Sequence, residues 1–212
     1  MQNPQAVGRL IAEIDRYLAG FDGPGIADVR TAIARFGEGP VRELPPGPPR
    51  HGDLEGALQA MAGADPLRAA IAAALPELPW VTYDLYPRAM IGDRFPQAHA
   101  FVSLIGEQGL VVAEDFDLGL FIIAPRTLYR DHRHKAPELY VPLTGPHEWR
   151  FGTGESWTEY AAHIPIWNES MRIHATLVRD IPFLALFAWT KDVKAPSAVV
   201  TAPDWAEIEA CL

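Results

Sequence analysis

The stretch Tyr129-Arg-Asp-His132-Arg-His134-Lys-Ala-Pro-Glu138-Leu-Tyr140 concentrates side chains that bind metals and move protons. His132 and His134 are two apart, so on a strand both imidazoles face one side; Glu138 and Tyr140 share that parity. A turn or bulge at Pro137 breaks the register between the two pairs. The face is then either a solvated one with incidental histidines or one built around an ion. Inward-facing imidazoles and a carboxylate need compensation, which a divalent cation supplies. A lone His-x-His pair favours the first reading. Glu138, four residues after His134, and the distant His174 in Ile173-His174-Ala175 favour the second. Three imidazoles and one carboxylate suit Zn(II), Fe(II), Mn(II), Co(II) or Ni(II). An open coordination position makes such a site catalytic instead of structural. Five of the seven histidines fall between His132 and His174. His147 and His163 are expected to be surface or hydrogen-bonded bystanders.

The elements that must position these groups divide the chain in two. Val7, Leu10, Ile11, Ile14, Tyr17 and Leu18 recur at helical spacing between Pro4 and Gly20, and Ile26, Val29, Ile33 and Phe36 continue the pattern. Gly37 to Arg50 holds five prolines and reads as an extended connector. Leu54, Leu58 and Met61 predict a third helix; Leu67, Ile71 and Leu75 predict a fourth, stopped by Pro76 and Pro79. From Trp80 the runs become short and β-rich: Ala100 to Ile105, Gly109 to Ala113, Leu118 to Ala124, Glu138 to Leu143, His147 to Phe151, Trp157 to Ile164, Arg172 to Val178 and Phe183 to Trp189. Eight short strands predict a sandwich or small barrel. Residues 1–79 are expected to form a helical cover that does not fold alone, packed on a β unit of residues 80–212.

His132-x-His134-x3-Glu138-x6-Gly145 resembles the first signature of the cupin superfamily, and His174 resembles the single histidine of the second. The usual Pro-x-Gly ahead of that histidine reads Asn168-Glu-Ser-Met-Arg172 here. Within cupins the chain resembles the dimethylsulfoniopropionate (DMSP) lyase group. Tyr140 falls where those lyases place a catalytic tyrosine, and Tyr129 precedes the His pair in a matching position. His174-Ala-Thr, Pro182 to Trp189 and Trp149 resemble their core strands, and a helical N-terminal cover is typical of them. The resemblance implies a mainly β fold, a single cupin jelly-roll barrel packed against N-terminal helices. It implies one divalent transition metal (Zn, Fe or Mn) on His132, His134, Glu138 and His174, and β-elimination on a small carboxylate, giving dimethyl sulfide and acrylate from DMSP. Tyr140 is the expected base, with Tyr129 as orienting group or alternate base. A free tyrosine, with a pKa of about 10, needs a nearby cation to serve. The sulfonium cation would rest on aromatic faces. Trp149, Trp157, Trp167, Phe187 and Trp189 are the candidates, with Trp149 and Trp189 taken as the substrate-binding pair. Cupins are frequently dimers, so a homodimer is the prior.

Composition narrows the alternatives. A net charge of −9 over 212 residues argues against a nonspecific nucleic-acid partner. The longest apolar run, Ile181 to Trp189, is far short of the roughly 20 residues of a membrane span. Without a basic, apolar leader and with one cysteine, Cys211, the expectation is a cytoplasmic protein with a small-molecule substrate. Arg126, Arg130 and Arg133 either draw in an anion or form solvated faces. No Gly-x-Ser-x-Gly elbow, phosphate loop or dinucleotide fingerprint is present. The competing readings are a cupin dioxygenase or isomerase on the same ligands, and a non-catalytic binding cupin.

Overall fold

The computed structural model describes residues 3–49 and 51–212; Arg50, at the end of the proline connector, lies outside the described residues. Helices α1 (Pro4–Leu18), α2 (Ile26–Phe36), α3 (Leu54–Ala60) and α4 (Asp65–Ala74) form where the apolar spacing predicts them. Asp53 caps α3 by accepting the Gly56 N–H, and Leu75–Glu77 turns the chain off α4 as a 3₁₀ segment. A short helix α5 (Arg88–Ile91) follows. Eleven strands come next among the described residues: β1 (His99–Gly106), β2 (Val111–Val112), β3 (Asp117–Ile123), β4 (Thr127–Arg133), β5 (Glu138–Pro142), β6 (His147–Arg150), β7 (Thr158–Tyr160), β8 (Ile166–Asn168), β9 (His174–Val178), β10 (Phe183–Trp189) and β11 (Ala198–Val199). Helix α6 (Trp205–Ala210) is the last element.

Two sheets result, ordered β2-β1-β3-β10-β5-β8 and β11-β4-β9-β6-β7. The inner eight strands are those of a jelly roll, β3-β10-β5-β8 facing β4-β9-β6-β7, so the expected cupin barrel is the fold of this chain. The differences from the sequence reading are local. Gly109 to Ala113 pairs only at β2. Trp157 to Ile164 is not one strand: β7 stops at Tyr160, His163 takes a positive φ of 67°, and β8 starts afresh at Ile166. Thr127 to Arg133, unassigned because its charges interrupt the apolar run, is a full strand.

Alternation along the larger sheet separates two environments. Leu118, Leu120 and Ile122 of β3, Leu139 and Val141 of β5, and Leu184 and Leu186 of β10 point outward into one apolar core with Leu10, Ile14, Leu67 and Ile71 of the helices. Phe121, Tyr140, Phe183 and Phe187 point inward. Helices therefore cover one sheet face, and the other face is free to line the barrel.

The smaller sheet is closed from outside by α6. Arg150 and Asp131 are both fully buried and paired; Arg150 also pairs with Asp204, and the Trp205 indole N–H donates to Asp131 at 2.7 Å. Arg150→Ala would leave the Asp131 carboxylate buried without its cation, a loss of about 3–5 kcal/mol. A fall in melting temperature of about 10 °C in a thermal scan is the expected result.

Candidate active site

The inward faces enclose a cavity of about 280 Å³, just under the lower end of the range for drug-sized ligands and suited to a small one. Its wall includes Tyr86, Phe121, Tyr129, His132, His134, Glu138, Tyr140, Phe187 and Trp189. His132, His134 and Glu138 line it, with His174 buried beside them, and they come together by three routes. His132 lies on β4 directly across the ladder from His174 on β9. His134 lies just past the end of β4. Glu138 opens β5, in the opposite sheet, after a turn through Pro137. Strand parity across Pro137 is thus not what unites them; the turn is. Tyr129 and His132 are three apart and would face opposite sides of a regular strand. A register shift between them puts both on the cavity wall, their rings stacked at 3.9 Å.

The three imidazoles are oriented alike. Nδ1 of His132 lies 2.9 Å from the Arg130 carbonyl, Nδ1 of His134 2.7 Å from Ala136, and Nδ1 of His174 3.0 Å from Arg172. A carbonyl only accepts, so each Nδ1 carries the hydrogen and each Nε2 presents a lone pair when the ring is neutral. One ligand atom from each of the three rings falls within 4.8 Å of the others, and all three residues are buried. Nε2 of His174 has no hydrogen-bond partner. Glu138 Oε2 stands 3.1 Å from His134 Nε2 and 3.4 Å from His174 Nε2. Acceptors facing acceptors in a buried site call for positive charge between them, from a proton or a metal ion. The donor set therefore fits a divalent transition metal.

Burial opposes protonation of His134, but Glu138 raises its pKa above the usual value, a proton answering the charge as a cation would. Burial, with His174 and His134 adding, drives His132 well below its usual pKa and keeps it neutral, the form that ligates. Burial alone would raise Glu138, but the two histidines overcome it and hold the carboxyl below its usual range. Glu138 Oε1 accepts the Trp189 indole N–H at 2.7 Å, and Oε2 is 3.4 Å from Asn168 Nδ2. Burial, then the Glu138 carboxylate, pushes the Tyr140 hydroxyl well above its ordinary value. Burial, then Tyr86 and Tyr140, does the same for Tyr129, whose hydroxyl lies 3.0 Å from that of Tyr86.

Of the aromatic candidates, Trp189 and Phe187 line the cavity. Trp149 does not: it is fully buried behind Tyr140, ring centroids 5.3 Å apart, because its β6 position points into the packed end of the barrel. Trp157 lies under the Arg150 guanidinium, and Trp167 packs on the helical core. The arginines do not face the cavity either. Arg126 pairs with Asp180 at the surface, and Arg130 grips Glu209 of α6 at 2.8 Å. His147 is buried beside Thr144, and His163 bridges the Tyr17 hydroxyl and the Ala62 carbonyl, so both stay clear of the metal-type cluster. The sequence reading missed His99 and Asp117. His99 stacks on Phe95 at 4.0 Å and accepts the Tyr83 N–H at 3.1 Å; burial lowers its pKa to about 4. No spacing marks either residue, since each is a single polar side chain at the end of a strand.

The chain matches known proteins over the region that builds this site. It is 28% identical over 137 residues to a protein of Cereibacter sphaeroides bearing the name dimethylsulfoniopropionate lyase DddL, the match covering 60% of this chain and 53% of that one. It is 28% identical over 127 residues to the dimethylsulfoniopropionate lyase DddQ of Ruegeria pomeroyi, covering 56% of this chain and 58% of that one. The chain thus spans a little over half the length of the curated relatives it matches. The crystal structure of DddQ from Ruegeria pomeroyi DSS-3 superposes with a TM-score of 0.67 at 22% identity over 95% of this chain and 98% of that one. A chain from the crystal structures of DMSP lyases RdDddP and RnDddQII gives 0.70 at 18% identity, over 93% and 99%. These two likenesses establish the fold. The family model of dimethylsulfoniopropionate lyase matches residues 48–185, which include all three clustered histidines, Glu138, Tyr129 and Tyr140. With more than half of its residues inside that match, the chain belongs to the dimethylsulfoniopropionate lyase family.

Proposed function

We propose that this chain is a metal-dependent carbon–sulfur lyase that cleaves DMSP, or a close small carboxylate, to dimethyl sulfide and acrylate. One observation carries the reading: three buried imidazoles, each pinned through Nδ1 to a backbone carbonyl, converge beside a cavity that His132, His134 and Tyr140 line. His132, His134, His174 and Glu138 would hold one divalent transition metal, zinc, iron or manganese. When bound, it supplies Lewis-acid stabilisation of the negative charge that develops on the substrate carboxylate. Tyr140 removes the proton α to that carboxylate. The C–H pair forms the C=C bond, and the Cβ–S bond breaks with its pair going to sulfur. Neutral dimethyl sulfide leaves, acrylate remains, and Tyr140 returns the proton to solvent. Tyr129, held between the Phe95 and His132 rings at 3.9 Å each, keeps the substrate in line. Phe187 and Trp189 present ring faces to the sulfonium. Release of dimethyl sulfide into the headspace and of acrylate in equal amount tests the reading; no sulfide from metal-loaded protein contradicts it.

Trp189 has a second task in this account. Its indole N–H on Glu138 Oε1 orients the carboxylate toward the histidines. Trp189→Phe keeps a ring and deletes that bond. Metal affinity is expected to fall about 10- to 100-fold, measured by competition with a chelator.

A further inference from the structure

One in-register row crosses the larger sheet on its cavity side. Gly106 pairs with Asp117, Asp117 with Trp189, Trp189 with Glu138 and Glu138 with Asn168. Side chains of residues directly opposite in a ladder share a face. Asp117 and Glu138 are therefore two strand spacings apart, about 10 Å, with the Trp189 indole between them. The row carries two carboxylates, and only Glu138 belongs to the histidine cluster.

Asp117 lines the same cavity. Its Oδ2 accepts the Ser103 hydroxyl at 3.1 Å, while its Oδ1 is buried and has no hydrogen-bond partner. Opposite stands Gly106, where a Cβ would come within 2.9 Å of Oδ1, so the missing side chain makes the room that the carboxylate occupies. Burial pushes the carboxyl up to about 7, against the pull of Ser103. A carboxylate with a free, desolvated oxygen costs stability unless a partner arrives. Trp189 is its direct ladder partner, Phe101 and Phe187 line the same cavity, and no cationic side chain of the described residues forms an ion pair with it.

Building on the lyase reading of the same cavity, we propose that Asp117 is the recognition group for the substrate's cationic end. The histidine cluster takes the carboxylate end and Asp117 the onium group, so the cavity selects short zwitterions by charge at both poles. Ring faces already favour a cation over a neutral isostere, and the Asp117 carboxylate adds a full negative charge to that preference. The cation in turn stabilises the ionised form of Asp117.

The test compares three carboxylates of one chain length on metal-loaded protein by calorimetry: DMSP, 4-methylpentanoate, which has an uncharged CH in place of the sulfonium sulfur, and 3-(trimethylammonio)propionate. The third is a cation whose trimethylamine is the poorer leaving group. Wild type is expected to bind both cations at least about tenfold more tightly than 4-methylpentanoate. Asp117→Asn should remove most of that preference, with metal content and affinity for 4-methylpentanoate unchanged. In turnover, KM for DMSP should rise about tenfold or more while kcat changes little. Asp117→Ser offers the same comparison if the asparagine variant does not fold. Wild type without a preference for cations, or a preference undiminished in both variants, overturns the proposal. Binding is read separately from turnover, so a protein that prefers cations yet releases no sulfide refutes the lyase reading and leaves the role of Asp117 standing.

Discussion

His134→Ala is expected to purify as folded protein without its transition metal and to release dimethyl sulfide at least about 1,000-fold more slowly. His134 is the imidazole nearest Glu138, at 3.1 Å, and its Nδ1 is already committed to the Ala136 carbonyl. Removing it deletes one of three converging donors and the group that best compensates Glu138. Lewis-acid stabilisation is worth several kcal/mol, and each 1.36 kcal/mol is a factor of ten in rate. Metal analysis of the purified variant gives the first readout and headspace sulfide the second. His163→Gln is the control, because His163 only ties the Tyr17 hydroxyl to the Ala62 carbonyl. Full metal occupancy in His134→Ala would remove that imidazole from the ligand set.

Tyr140→Phe should show the opposite pattern, with metal retained and kcat reduced about 100- to 10,000-fold, the usual share of a general base. The substitution deletes one buried oxygen and leaves the ring packed at 6.1 Å from Phe121 and from Phe183, so the barrel should keep its stability. Burial and the Glu138 carboxylate both hold the Tyr140 proton on, so the hydroxyl is a base only beside a cation. The same substitution at Tyr129 separates the two tyrosines. Tyr129 bonds to Tyr86 and stacks on His132, a positioning geometry, so Tyr129→Phe should chiefly raise KM. Equal losses of kcat in both variants would make Tyr140 no more the base than Tyr129.

The helical cover was legible in the sequence because its apolar residues repeat with one period and its ends carry proline and glycine. Leu10, Ile14 and Leu18 predict α1 and its buried stripe together. The barrel was legible as a class, since short apolar runs between turn residues leave few other folds. Its details were not. β4 escaped because Arg130, Asp131 and Arg133 interrupt its pattern; Asp131 is in fact buried against Arg150, a pairing that lies 19 residues away in sequence. The bulge that brings Tyr129 and His132 onto one face leaves no mark in the residue order. His132, His134, Glu138 and His174 stood out because four metal-type side chains at such spacing are improbable by chance. Trp149 shows the limit of that method: a large ring near a motif in sequence is placed by its strand, and β6 turns it into the packed interior. Asp117 and His99 carry the converse lesson. Each stands alone in the chain and acquires meaning only through what the ladder sets beside it.

On the proposed function, the three pinned imidazoles, with Glu138, make this chain a metal-dependent lyase. Dimethyl sulfide release should be measured on one preparation as purified, after stripping with a chelator, and after adding back zinc, iron or manganese singly. Stripping is expected to abolish release, and at least one of the three metals to restore it in proportion to the metal bound, up to one ion per chain. Stripped protein that releases sulfide at the rate of the untreated sample would contradict it.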